Sequence, residues 1–591
     1  MAKRPNVLLF LVDELRYPTV YDGPVLREWM ERNLRAQNVL RRNGVDFHRH
    51  YVQSAACAPS RTSIFTGQYP SLHGVTQTDG IGKQIWDPGM YWLDPDMVPT
   101  LGDYFRAAGY RTHYRGKWHI SHEDIGIPAG ANAQFPNGNG GTAGHASLLS
   151  NIADGTPILE NTALYRRANK LDKFGFDGWI GPEPHGSNQA NCGWTRDPLY
   201  AKEALSLLDR LDSEPHQEPW LLVNSYVNPH DIVFFGAIWQ MWGLPYPTDA
   251  DVPPIPPPPT QNEDLSTKPR AQQSYVDTYG QMFFPQPTVD LYRQFYYYLQ
   301  VEAENHVLQV YERLMRSRFA DDTIVVFTSD HGEMLGAHGG MHQKWYQAYE
   351  ETIHVPLIIT GKPVTESARS VDALTSHADL LPTLLGLAGI DSDEAATEVS
   401  KTHGETRRLV GRDLSAAVRG ESRIPPGEAV YFMTVDDVAQ GLSQVTGRRQ
   451  WRNVDAPNQV EAIVVELDGV LWKYVHYNQE VETYSNITNP NITQLQGIYQ
   501  KVPDQYEQYK LSEDQLEVVN LAWPHHATAE SIAVRPRLEA ILQEQRETKR
   551  LQPVVITGAL RSQGEGATVN ADFAADAPPA PPRVPITRPS A

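Results

Sequence analysis

Acidic, imidazole and lysine side chains recur just beyond short apolar runs spread over more than 300 residues of this chain. Asp13 and Glu14 close the run 7–12, and Lys117 and His119 follow 110–114. Asn228 and His230 follow 220–227, and Ser329, Asp330 and His331 follow 323–328. If each run is a strand of a parallel sheet, these side chains converge in the crevice beyond the carboxyl ends of the strands, where such sheets bind ligands. Asp13, Glu14 and Asp330 brought together would repel one another, and a divalent cation removes that cost. Hard oxygen donors suit Ca²⁺ or Mg²⁺, and the softer His331 imidazole keeps Mn²⁺ in play. Singly, Asp13 could cap a helix and Asp330-His331-Gly332 could be a turn. The coincidence of four strand ends argues for a site.

A second constellation is Cys57-Ala58-Pro59-Ser60-Arg61, continued by Thr66-Gly67. A lone cysteine is usually a small buried hydrophobe. Here Pro59 fixes the backbone, Ser60 can cap a helix start, and Arg61 places a guanidinium one turn beyond Cys57. A helix N-terminus with an arginine beside it is an anion site. The whole chain carries a formal net charge of −20, from 71 acidic and 51 basic residues. Such a surface repels anions at long range, so an anion site must concentrate its own positive charge. Nucleic acids and anionic membranes are not natural partners.

The elements that must hold these residues follow from the pattern. The short runs 7–12, 110–114, 220–227, 323–328 and 355–360 read as buried strands. Residues 101–108, 198–211, 291–317 and 379–388 read as helices. The alternation predicts an α/β fold, a large mostly parallel central sheet flanked by helices. A proline-rich stretch, 245–287, reads as an extended excursion within a catalytic domain spanning 1–424. From 425 the runs EAVYFMTV, VEAIVVEL and GVLWKYVHY look like antiparallel strands, with a final helix at 529–545. They predict a smaller C-terminal α+β domain over 425–545, and 546–591 reads as an extended or disordered tail.

The chain has 591 residues, of which 40% are hydrophobic and 21% charged, an ordinary globular composition. Its two cysteines, Cys57 and Cys192, allow no disulfide framework and fit a reducing compartment. The N-terminal run reads as a first strand and not as a signal peptide, and no stretch has the ~18 apolar residues of a membrane span. The expectation is a cytoplasmic protein.

Cys57-Ala58-Pro59-Ser60-Arg61 with Thr66-Gly67 resembles the signature of the type I sulfatases, members of the alkaline phosphatase superfamily. Gly109-Tyr110-Arg111-Thr112 through Gly116-Lys117-Trp118-His119 resembles a second family signature. Val12-Asp13-Glu14, Asn228-Pro229-His230 and Ser329-Asp330-His331-Gly332-Glu333 resemble three further blocks in the expected order. Residues 509–522 are similar to the closing segment. The resemblance implies an alkaline phosphatase-like fold and hydrolysis of a small-molecule sulfate ester. It implies that a dedicated formylglycine-generating enzyme oxidises Cys57 to formylglycine. One hydroxyl of the aldehyde hydrate then attacks sulfur or phosphorus, and loss of the second proton expels sulfate by C–O cleavage.

By the same resemblance Asp13, Glu14, Asp330 and His331, completed by residue 57, are the metal ligands, with Ca²⁺ the leading ion and Mn²⁺ the alternative. Arg61 orients the hydrate, and Lys117 bridges nucleophile and substrate. His119 is the base that breaks the intermediate down, and His230 protonates or binds the leaving-group oxygen. Lys344 is the second substrate lysine, with His342 a close rival. Many sulfatases carry Asp at Glu14 and Asn at His331, and the histidine form resembles the phosphonate monoester hydrolases and phosphodiesterases. The leading reading is therefore an aryl sulfatase, and the rival a phosphonate monoester hydrolase or phosphodiesterase with the same site. Trp92, Trp118, Trp194 and Trp242 read mainly as packing, as do Tyr296-Tyr297-Tyr298, and Cys192 reads as an isolated thiol. His48, His50, His113 and His122 have no evident partner. Leaving-group specificity is expected in the loops 126–191 and 234–287, and a homo-oligomer is expected.

Overall fold

Three strands with no exposed residue make the centre of the molecule: β1 (Asn6–Asp13), β5 (Trp220–Pro229) and β6 (Thr323–Ser329). Runs without alternating polarity are what a strand covered on both faces requires. The computed structural model describes residues 4–80, 82–83, 90–121, 165–166, 168–181, 183–184, 189–215, 218–244, 246, 251–283, 288–365, 367–441, 451–479 and 502–553. The other strands of the main sheet are β2 (Gly44–Phe47), β4 (Arg111–Gly116), β7 (Leu357–Thr360) and β8 (Arg369–Val371). Their order is β4-β5-β1-β6-β7-β2-β8. All neighbouring pairs are parallel except β6–β7 and β2–β7, so the expected mostly parallel sheet is present with β7 as its reversed strand. A short parallel pair, β3 (His50–Tyr51) with β9 (Thr375–Ser376), lies beside it.

Alternate residues of β1 feed two cores. Val7, Leu9 and Leu11 pack with Phe65, Leu101, Phe105, Leu381 and Leu384, from the helices Cys57–Thr66, Leu101–Ala107 and Leu380–Leu387. Leu8, Phe10 and Val12 pack with Leu40, Leu207, Leu208, Val307 and Leu314, from Arg35–Arg42, Gly193–Ser213 and Asp290–Met315. Helices therefore cover both faces.

Toward the C-terminus, β10 (Val430–Thr434), β11 (Gln459–Leu467), β12 (Val470–Asn478) and β13 (Gln505–Lys510) form an antiparallel four-stranded sheet in that order. Helix Ala529–Lys549 covers one face through Val534, Leu538 and Leu542. The other face packs on Ala271, Tyr275 and Tyr279 of helix Arg270–Met282. That helix lies inside the proline-rich stretch, which is thus not extended throughout. The final helix runs four residues further than the sequence pattern predicts. Residues 554–591, with most of the expected tail, lie outside the described residues. No helix among the described residues is long and apolar enough to cross a membrane.

Candidate active site

Strand register brings the candidate residues to one edge. Asp13 pairs with Pro229 and Val12 with Ser329, so β1, β5 and β6 end level. Gly116, the last residue of β4, pairs with Ser225. Its φ is +117°, and a Cβ there would stand 1.7 Å from the Ser225 carbonyl oxygen. Only glycine lets β4 close in at this point and deliver Lys117.

Four potential donors lie within 4.8 Å of one another: a carboxylate oxygen of Asp13, a carboxylate oxygen of Asp330, the Cys57 thiol and the His331 imidazole. All four residues are buried. Cys57 Sγ is 3.1 Å from His331 Nε2 and 3.5 Å from Asp13 Oδ1. His331 Nδ1 is 2.9 Å from the Gly332 carbonyl oxygen, to which it donates, and so Nε2 presents its lone pair. Burial, reinforced by Lys344, pushes the His331 pKa down to about 4, which keeps the ring neutral as a ligand must be. Two carboxylates and one neutral imidazole around an exchangeable fourth position fit a divalent cation. Burial raises the Cys57 thiol far above its ordinary range, and Asp13 raises it further, so the unmodified side chain is a poor thiolate nucleophile.

Cys57 opens the helix Cys57–Thr66, every residue of which is buried. Ser60 does not cap it. The N-cap is Ala56, and the Ser60 hydroxyl donates to the Asp330 carbonyl oxygen, joining the helix to the end of β6. Arg61 donates through Nε to the Trp118 carbonyl (3.0 Å), through Nη1 to Asp330 Oδ2 (3.0 Å), and through Nη2 to Tyr114, Ser225 and the Lys117 carbonyl. The guanidinium thus clamps the ends of β4, β5 and β6 around residue 57.

Lys117 Nζ donates to Asp13 Oδ2. Burial opposes ionisation of Asp13, but the ammonium groups of Lys117 and Lys344 hold its carboxyl well below the usual range. His119 Nε2 is 2.7 Å from Asp79 Oδ1, and the His119 ring lies 5.7 Å from the Trp92 ring. His230 Nε2 is 3.9 Å from Glu14 Oε2; its side chain is 23% exposed, while those of Asp13, Glu14, His331 and Lys344 are at most 2% exposed. Burial, reinforced by Lys117, pushes the His230 pKa well below its usual value. Lys344 Nζ lies 3.4 Å from Glu14 Oε2. His342 turns to other partners, with Nδ1 2.9 Å from the Tyr292 hydroxyl and its ring stacked on Tyr279. Glu14 stands outside the four-donor set and groups with Asp13 and His230.

Three residues of the site carried no signal in the sequence. Asp79 holds His119. Glu183 takes the Trp118 N–H on both carboxylate oxygens, at 3.0 and 3.2 Å. Tyr296, read as packing, donates 2.7 Å to the Glu14 carbonyl. Each pairing spans tens to hundreds of residues, so no local spacing marks it. The remaining tryptophans pack: Trp118 against Phe65, Tyr114, Phe174 and Phe176, Trp194 against Trp239 and Tyr298, Trp242 against Phe234. Cys192 is buried with Sγ 3.0 Å from the Gln189 carbonyl. His48 meets Asp372 at 2.9 Å and His50 meets Thr375 at 3.0 Å, while His113 is buried. His122 and most of the loop 126–191 lie outside the described residues.

Fold and donor set together define the class, an α/β protein with a cluster that could hold a cation at the carboxyl edge of its sheet. The chain belongs to the sulfatase family, whose model, described as Sulfatase, matches residues 5–390. It is similar to the choline-sulfatase of Rhizobium meliloti (strain 1021), 26% identical over 398 residues that cover 66% of this chain and 69% of that protein. It is also similar to the human (Homo sapiens) iduronate 2-sulfatase, 26% identical over 433 residues, 65% of this chain and 69% of that protein. Its fold is shared with the phosphonate monoester hydrolase SpPMH from Silicibacter pomeroyi, with a TM-score of 0.58, 18% identity, and coverage of 94% of this chain and 97% of that one. Family membership makes the chain a sulfuric ester hydrolase.

Proposed function

We propose that this protein hydrolyses organic sulfate monoesters, aryl sulfates foremost, with a formylglycine made from Cys57. The observation that carries the reading is the placement of the Cys57 side chain between Asp13 and His331, with Lys117, His119, His230 and Lys344 at the same strand edge. A divalent cation, Ca²⁺ or alternatively Mn²⁺, would be held by Asp13, residue 57, Asp330 and His331, and would supply Lewis-acid charge at residue 57 and the ester oxygens.

The chain's own groups do the rest. Burial opposes the charge of Lys117 and Lys344, yet carboxylate neighbours, led by Asp13 at Lys117, hold both ammonium groups protonated. They supply the local positive charge that the acidic surface lacks, and they bind the sulfate oxygens. His119, oriented by Asp79, accepts a proton from residue 57. His230 is neutral, so it donates a hydrogen bond to the leaving-group oxygen from the exposed side of the site. An aromatic ring lies beside each of three of these residues. Phe234 lies 6.5 Å from His230, Trp345 lies 5.2 Å from the Lys344 ammonium, and Trp92 neighbours His119. They favour an aromatic leaving group. We also keep the cytoplasm as the proposed compartment.

One observation favours a second reading. His331 at the fourth donor position, together with the fold shared with SpPMH, supports phosphonate monoester or phosphodiester hydrolysis at the same centre. Two measurements test the proposal. Mass spectrometry of the peptide around residue 57 is expected to show an aldehyde in place of the thiol. On that material, kcat/KM for 4-nitrophenyl sulfate is expected to exceed that for phenylphosphonate monoesters. Full turnover with the thiol intact would overturn the formylglycine reading, and a preference for the phosphonate would select the second.

A further inference from the structure

Just past β10 the chain carries two adjacent buried acids, Asp436 and Asp437, whose partners lie in two distant segments. Asp436 Oδ2 accepts the Thr78 N–H at 3.1 Å and the Trp345 indole N–H at 2.9 Å. Asp436 Oδ1 lies 2.9 Å from the Lys83 ammonium, which also donates to Gln77 Oε1 at 2.7 Å and to the Asp437 carbonyl. The Gln77 amide donates to the Val435 carbonyl at 2.7 Å and accepts the Asp437 N–H at 3.1 Å. Asp437 Oδ1 accepts the Tyr346 hydroxyl at 2.6 Å. The backbones touch as well. A Cβ at Gly82 would stand 2.5 Å from the Val438 carbonyl oxygen, an approach that only glycine permits.

Each of the two segments carries one arm of the candidate active site. Thr78 adjoins Asp79, which holds His119 at 2.7 Å. Trp345 adjoins Lys344, whose ammonium lies 5.2 Å from the centre of the Trp345 ring. Neither 74–80 nor 341–349 is helix or strand, and Gln343 and Tyr346 hold φ values of +66° and +62°. Main chain in such states persists only where its surroundings hold it. We propose that Asp436 is a positioning residue that fixes the His119 and Lys344 arms relative to each other; this rests on the sulfatase reading above. One carboxylate oxygen receives an N–H from each arm, and Lys83 supplies the charge that a buried carboxylate needs. Asp436 lies beyond residues 5–390, the stretch that matches the sulfatase family, so this tie comes from the C-terminal part of the chain. A contact that served packing alone would change stability and leave kcat and KM of the folded enzyme where they were.

The test uses the aldehyde-verified holoenzyme and the variants Asp436→Ala, Asp436→Asn and Trp345→Phe. For each, kcat and KM are read per aldehyde on one sulfate monoester, and Kd for inorganic sulfate is read by calorimetry. Asp436→Ala releases both arms and is expected to lower kcat and raise KM about tenfold each, the scale of a small misplacement. Trp345→Phe keeps a ring beside the ammonium and removes only the indole N–H. It is expected to raise KM and the sulfate Kd a few-fold, with the smaller change in kcat. In that background Asp436→Ala is expected to raise KM less than it does alone, because the two share one link. Asp436→Asn, which keeps an acceptor, is expected to fall between the wild type and Asp436→Ala. Wild-type kcat and KM in folded Asp436→Ala would overturn the proposal, whatever its Tm. If that variant does not fold, wild-type KM and sulfate Kd in Trp345→Phe would overturn it. An aldehyde-bearing wild type that hydrolyses no sulfate monoester would instead sink the sulfatase reading on which the proposal stands.

Discussion

The imidazole of His119 meets the carboxylate of Asp79 at 2.7 Å, Nε2 to Oδ1, with both residues buried. An acceptor at Nε2 fixes the tautomer, because that nitrogen then carries the proton and Nδ1 presents a lone pair. Asp79→Ala is expected to lower kcat about a hundredfold, the scale of a misoriented general base, with a smaller change in KM. Asp79→Asn, which keeps an acceptor, is expected to lose less. Steady-state kinetics on the three proteins decide it, and equal kcat values would remove Asp79 from the mechanism.

Glu183 acts one step further back. Its carboxylate receives the Trp118 amide between the two catalytic candidates Lys117 and His119, and Asn191 holds the Glu183 carbonyl at 2.7 Å. Burial pushes the carboxyl up to about 7 against the pull of the His119 and Trp118 amides and of Lys117. His119 itself has φ +56°, so this segment depends on outside support. Glu183→Ala leaves a buried N–H without its partner. It is expected to cost about 1–3 kcal/mol in denaturant unfolding, together with a fall in kcat. Unfolding and kinetics indistinguishable from wild type would contradict this.

A pH effect on stability follows from His338, which is not one of the four cation donors. Its Nδ1 is 2.7 Å from Glu263, its Nε2 is 3.7 Å from Glu351, and its ring stacks on Tyr349 at 3.6 Å. Burial lowers its pKa, but the two carboxylates outweigh that and raise it to about 9. A histidine raised on folding stabilises fully below its unfolded value of about 6.5, and that contribution is lost as pH climbs through about 9. Tm is therefore expected to fall between pH 6.5 and 9.5. In His338→Gln it should start lower and change less across that window. Parallel pH profiles for the two proteins would show that His338 contributes nothing.

The cation cluster predicts the response to chelation. Without a divalent ion, Asp13 and Asp330 face each other with the charges of Lys117, Arg61 and Lys344 to offset them. EDTA treatment is expected to abolish ester hydrolysis and to lower Tm by several degrees. Re-addition of Ca²⁺ or Mn²⁺ should restore both, and the ion that does so at the lower concentration identifies the cofactor. Activity that survives exhaustive chelation would count against a metal-dependent mechanism.

The sheet and the side chains at its edge were legible in the chain for one reason. Buried parallel strands are largely apolar runs, and their ends are where polarity returns, as at Asp13, His230 and Asp330; β4, with Arg111, His113 and Arg115, is the exception. The reversed direction of β7 left no trace, because a buried run reads alike both ways. The helix expected to start at Pro198 starts at Gly193, whose N–H and that of Trp194 are taken by the Asp231 carboxylate at 2.8 and 2.7 Å. A cap supplied from 38 residues away is invisible to local pattern. The helix Arg270–Met282 was hidden by the prolines before it, although Ala271, Tyr275, Tyr279 and Met282 keep helical spacing. Ser60 looked like a cap because serine favours that place, whereas the carbonyl it serves belongs to β6.

The first strand of the C-terminal sheet reaches back to the segment just ahead of the nucleophile. Met433 N–H donates to the Gln53 carbonyl at 3.0 Å, and the Thr434 hydroxyl donates to the Ala55 carbonyl at 2.6 Å. A ribosome makes these residues hundreds of positions after Cys57, a delay on the order of tens of seconds at ordinary synthesis rates. During that interval the Gln53 and Ala55 carbonyls lack these partners, and in the finished fold Cys57 is buried. On the formylglycine reading proposed above, Cys57 is therefore expected to be oxidised before this closure.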